Sequence, residues 1–186
     1  MKKISLILMV FLLMPLIAWA TLGKVTIKGT APESKIYGEM VLVEENGGLT
    51  IDANVTNVPP GNHGFHIHEI GSCADSGKAA GGHFNPDKVQ HGYLPKDGHQ
   101  HAHAGDMGNI EVGADGAGKL KLFLPGMTLK DGNFAVSGKS VILHEKEDDF
   151  GQPTGNAGAR IGCGIIDVTD QNPTPAQTTI PVSVTK

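Results

Sequence analysis

Leu49-Thr-Ile-Asp-Ala-Asn-Val55 puts an apolar residue at every second position and a polar one between. Only an extended strand sends alternate side chains to opposite faces, so this stretch reads as a β-strand with one face in a core and the other in water. Shorter runs of the same kind flank it. Val25 and Ile27 mark one strand before it, and Met40 to Val43 another. After it come Gly61 to His68, Met107 to Val112, a turn at Asp115-Gly116, Lys119 to Leu124, Val141 to His144 and Arg160 to Val168. The chain carries 26 glycines and 11 prolines, residues that make turns and interrupt helices. The expectation is an all-β domain of eight antiparallel strands, with no repeat of fixed period.

Working outward from the strands, the histidines stand out. His66 and His68 sit two apart on a strand and therefore project from one face, about 7 Å apart along the chain. The segment from Gly81 to Asp106 mixes Gly, Pro, Asp and His without an apolar period, and is too long for a plain connection. It should be a functional loop, a disordered one, or one organised by a bound ion. Its His83, His91 and His103 with Asp106 supply four N/O ligands, a set suited to tetrahedral zinc. His66, His68 and His144, outside that loop, make a nitrogen-only set suited to copper. His63, His99 and His101 are expected to be solvated and without a metal role.

The neighbours of these histidines carry a resemblance. Gly64-Phe-His-Ile-His-Glu69, Gly82-His-Phe-Asn-Pro86, Ala104-Gly-Asp-Met-Gly-Asn109, Leu143-His-Glu-Lys-Glu-Asp-Asp149 and Gly155-Asn-Ala-Gly-Ala-Arg-Ile-Gly-Cys-Gly164 resemble, in order, the motifs of the copper/zinc superoxide dismutases. The likeness runs from about residue 23 to 168. It implies a Greek-key β-barrel or flattened sandwich with long metal-binding and electrostatic loops. It also implies copper held by His66, His68, His83 and His144, and zinc by His83, His91, His103 and Asp106, so that His83 bridges the two. The implied reaction has two steps: one superoxide anion reduces Cu(II) and leaves as dioxygen, and a second reoxidises Cu(I), takes up two protons and leaves as hydrogen peroxide.

The same resemblance assigns further residues. Arg160, the only arginine, is expected beside the copper as the charge that attracts the anion, with Thr154 narrowing the channel. Asp148 is expected to accept hydrogen bonds from His66 and His91 and so fix both rings. Cys73 and Cys163, the only cysteines, fall where the family has a disulfide, and an even count in an exported chain agrees. Two departures from the family pattern bear on the site. Only four residues separate His68 from Cys73, a short connection like that of the bacterial, periplasmic branch. The zinc loop is lengthened to His91-Gly-Tyr-Leu-Pro-Lys-Asp-Gly-His99-Gln-His101-Ala-His103, where His103 keeps the spacing to Asp106 and His101 is the alternative ligand.

The ends of the chain concern location. Lys2 and Lys3 precede an apolar run from Ile4 to Ala20, and Ala18-Trp-Ala20 fits a small-x-small cleavage site, so residues 1–20 read as a signal peptide cleaved after Ala20. An uncleaved anchor is the alternative. Without Lys2 and Lys3 the 15 basic residues fall to 13 against 19 acidic ones, a formal charge of −6. Such a chain is ill suited to nucleic acid. The mature form has no expected membrane partner; a homodimer is compatible with this reading. The domain is expected over 21–170, followed by a Pro/Thr-rich tail over 171–186, extended or disordered, whose Ile180 to Val184 could instead add an edge strand. Against the enzyme stand a copper/zinc delivery protein on the same barrel and a zinc hydrolase. The hydrolase fares worse, because three histidines and Asp106 leave zinc no open position for water.

Overall fold

The computed structural model describes residues 20–171; the proposed signal peptide, apart from Ala20, and the tail beyond Gln171 lie outside the described residues. Nine strands make up the fold: β1 (Ala20–Gly29), β2 (Tyr37–Glu45), β3 (Gly48–Thr56), β4 (Gly61–His68), β5 (Asp106–Val112), β6 (Gly118–Pro125), β7 (Ser140–His144), β8 (Arg160–Ile165) and β9 (Asp167–Gln171). Neighbouring strands follow the order β2-β3-β6-β5-β4-β7-β8-β1, and β1 pairs with β2 to close the barrel. Each named ladder is antiparallel. The all-β expectation holds.

Eight barrel positions are filled by nine segments because the last expected strand, Arg160 to Val168, breaks at Ile166. That residue is buried, and its backbone bonds to the 138–139 turn instead of to a strand: Gly138 N–H donates to Ile166 O and Ile166 N–H to Lys139 O. The chain bends there. β8 then pairs with β7 and the end of β1, while β9 pairs with the first half of β1.

The β2–β3 hairpin turns on Asn46 and Gly47, at φ 52° and 77°, the left-handed pair that a two-residue turn needs to match strand twist. Past the turn, alternation does the sorting. Met40, Leu42, Leu49, Ile51, Ala53 and Val55 point into the core, where Phe65, Ile67, Val141 and Leu143 of β4 and β7 meet them. Full burial of each large aliphatic or aromatic side chain contributes roughly 1.5–3 kcal/mol. The residues between them point outward, and on β4 and β7 these are His66, His68 and His144. The inward Phe65 and Ile67 therefore fix the direction of the two histidines beside them.

Two loops cover that outward face: 69–105, which contains a one-turn helix at Leu94–Asp97, and 145–159. A disulfide joins Cys73 to Cys163 with Cα atoms 5.7 Å apart. Its sulfurs pack with Ala80 and Ile142, tying the first loop to β8 across the back of β7.

Candidate metal centre

Six histidines and Asp106 converge under the two loops, each at most 6% exposed. Ligand atoms of His66, His68, His83 and His144 lie within 4.8 Å of one another, and those of His83, His91, His103 and Asp106 do the same. His83 belongs to both groups. Its ring centroid is 4.1 Å from that of His66 on one side and 5.5 Å from that of His103 on the other.

The hydrogen bonds decide which ring nitrogen each histidine leaves free. His66 Nε2–H donates to Asp148 Oδ2 at 2.8 Å, and its buried Nδ1 has no partner. His68 Nδ1–H donates to Gly81 O at 3.1 Å, leaving Nε2 buried and unpartnered. His144 turns Nδ1 toward Gly158 O at 3.4 Å and likewise strands Nε2. Three orphaned nitrogens around one point is a costly arrangement for a core without an ion.

In the second group His91 Nε2–H donates to Asp148 Oδ1 at 2.9 Å. Its Nδ1 lies 2.8 Å from Asp106 Oδ2 but is not aligned as a hydrogen bond. His83 Nδ1 and His103 Nδ1 stand 2.8 Å and 3.2 Å from Asp106 Oδ1, and 3.5 Å from each other. Four ligands about 2.0 Å from a tetrahedral zinc would be separated by about 3.3 Å. The observed spacings bracket that value, so the donor set fits zinc. Asp106 is steadied by backbone N–H groups of Gly92 and His103, both 2.9 Å from Oδ2.

The electrostatics follow from burial. Without metals, burial pushes His68 down to about 2, His144 to about 3 and His83 to about 4. All three are neutral near pH 7, the form in which imidazole binds metal. His91 differs: burial opposes its charge, but Asp106 and Asp148 outweigh burial and raise it to about 9. Burial also opposes ionisation of Asp106, yet His103, His83 and His91 hold its carboxyl far below the usual range. Asp148 is held low in the same way by His66 and His91.

Arg160 lies at the start of β8, its guanidinium bonded to three carbonyls of the first loop: Nη1–H donates to Gly77 O at 2.6 Å and Lys78 O at 3.3 Å, and Nη2–H to Gly81 O at 2.6 Å. It is close enough to act electrostatically on His68 and His144. Thr154 is exposed on the 152–156 turn.

The spare histidines part company. His101 is exposed, as expected. His63 is 3% exposed, against expectation, with Nδ1 2.9 Å from His144 O and Nε2 2.8 Å from Pro59 O. It holds the backbone of His144 from behind. His99 is half-buried, stacked on Phe134 with ring centroids 3.9 Å apart and donating from Nε2 to Pro125 O. Both are structural rings misread as solvated because their partners are backbone carbonyls, His144 O for the one and Pro125 O for the other being distant in sequence. Gln152, whose amide bonds the His91 backbone, gave no sequence signal at all.

Comparison with known proteins places this geometry. The family described as copper/zinc superoxide dismutase matches residues 36–166. Superoxide dismutase [Cu-Zn] 2 of Mesembryanthemum crystallinum is 37% identical over 141 residues, covering 72% of this chain and 88% of its own. Extracellular superoxide dismutase [Cu-Zn] of Caenorhabditis elegans is 35% identical over 145 residues, 74% of this chain; the chain spans 64% of that relative's length. The crystal structure of the clock protein EA4 superposes with a TM-score of 0.71 at 31% identity, over 80% of this chain and 94% of that one.

Proposed function

The chain belongs to the copper/zinc superoxide dismutase family, and from that premise we infer how its residues convert superoxide to dioxygen and hydrogen peroxide with copper and zinc. The observation that carries the reading is the membership of His83 in both donor groups. In it, His66 Nδ1, His68 Nε2, His144 Nε2 and His83 would hold copper, and the Nδ1 atoms of His83, His91 and His103 would hold zinc with Asp106. Bound there, copper supplies one-electron redox chemistry between Cu(II) and Cu(I), while zinc supplies fixed charge and geometry.

The chain's residues do the rest. Asp148 accepts Nε2–H from both His66 and His91, and so commits each ring to present Nδ1 inward. His83 would face a cation on each side only with both ring protons gone, and its ring nitrogen on the copper side is the atom that would hold a proton for the peroxide product. Arg160 brings a positive charge that its three carbonyl partners hold in one place. In a chain of net negative charge, such a charge focuses the field on a small anion and speeds its arrival. Thr154 narrows the path to it.

The location and assembly are inferred from less. Export behind a signal peptide cleaved after Ala20 is supported by the apolar N-terminal run, by the disulfide and by the extracellular relative, and a bacterial, periplasmic home by the short connection from His68 to Cys73. The mature enzyme has no nucleic-acid or membrane partner, and a homodimer is the proposed assembly where one forms.

The test is superoxide consumption by the copper- and zinc-loaded chain over a range of ionic strengths, beside Arg160→Ala. The rate should fall as salt rises, and the variant should be slower by about 10-fold or more. No turnover with both metals bound would overturn the activity and leave a metal-binding protein.

A further inference from the structure

We propose that Gln152 is a positioning residue for zinc, gripping the backbone of His91 while Asp148 grips its ring; the proposal rests on the reading of His91 as a zinc ligand. His91 N–H donates to Gln152 Oε1 at 3.0 Å, and Gln152 Nε2–H donates back to His91 O at 2.8 Å. A side-chain amide presents a donor and an acceptor side by side. It can therefore clasp both polar groups of one residue, fixing where that residue lies and how it is rotated. Residues 88–93 belong to no helix or strand, so no ladder does this for the buried His91.

The clasp is one of a pair. Asn109 treats Asp148 in the same manner, accepting from Asp148 N–H at 2.7 Å and donating to Asp148 O at 2.9 Å. The bond from His91 Nε2 to the Asp148 carboxylate is thus anchored at both backbone ends by amides. The copper-side histidines need no such device. His66 pairs with Ile142 and His68 with Ser140 in the β4–β7 ladder. Loss of Gln152 should consequently be felt at zinc first and much less at copper.

Two variants separate this role from general loop packing. Gln152→Ala removes both bonds. Gln152→Glu keeps the length and one acceptor but cannot donate to His91 O. Each is loaded with copper and zinc, and loss of each metal to a chelator is timed; a parallel set carries Co(II) in the zinc position, whose visible spectrum reports ligand geometry. Zinc should leave both variants about 10-fold faster than the parent, with an altered cobalt spectrum. Copper release should quicken far less than zinc release, and the thermal midpoint of the metal-free chain should stay at the parent's value. Unchanged zinc release, equal acceleration of both metals, or a metal-free midpoint that falls in step would each overturn the proposal. A parent chain that takes up no cobalt would instead overturn the zinc assignment itself.

Discussion

Strands β3 and β4 are built by the same alternation, yet their outward residues meet opposite surroundings. On β3, Asp52 and Asn54 face water, beside Lys121 of β6. On β4, His66 and His68 face loops 69–105 and 145–159 and are at most 1% exposed. Covering a sheet face replaces water by a few fixed carboxylates and carbonyls. That makes room for nitrogens without partners, which the open face could never hold and a metal requires.

Stripping both metals should separate the two faces most. With each ion present at about 1,000 times its dissociation constant, each site contributes about 4 kcal/mol, so losing both removes about 8 kcal/mol, roughly 16–32 °C in thermal midpoint for a domain this size. Hydrogen exchange should quicken in 69–106 and 145–159 and hold steady in β2, β3 and β6. Equal loosening everywhere would erase the distinction. Next comes the Cys73→Ser, Cys163→Ser double variant, measured by urea unfolding of the metal-free chain. The loop-entropy argument gives a loss of up to about 4–5 kcal/mol, and with it Arg160's grip on Gly77 and Gly81.

A smaller effect follows pH. In the metal-free chain His68, His83 and His144 have folded values below the ordinary 6.5, so stability is whole above 6.5 and drains as pH falls toward 4 and lower. His91 has the opposite sign: raised to about 9, it contributes fully below 6.5 and is lost as pH rises through 9. Each group weighs at most about 1.4 kcal/mol per pH unit. Calorimetric midpoints should peak between about pH 6.5 and 7, with the steeper fall on the acid side; a flat profile from pH 5 to 9 would contradict the burial of these rings. Least of all, Lys121→Ala on the open face should change stability by less than about 0.5 kcal/mol, since its contact with Asp52 is 3.9 Å long and exposed.

The same contrast marks what the sequence could tell. Strand positions were legible because alternation is local: Leu49 to Val55 needs no partner to be understood. The break at Ile166 was not, since it depends on bonds to the 138–139 turn. At the site, residue types and spacing brought forward the histidines and Asp106, while Asp148 and Arg160 came from the family resemblance. The roles of His63 and Gln152 were hidden, because each acts through the backbone of a residue far along the chain, and a carbonyl oxygen leaves no mark in a sequence.

The double allegiance of His83 has a thermodynamic consequence. Two ions that lean on one imidazole close a cycle, so the factor by which zinc raises the affinity for copper must equal the factor by which copper raises that for zinc. Where that factor exceeds one, scarcity of either metal is felt as scarcity of both.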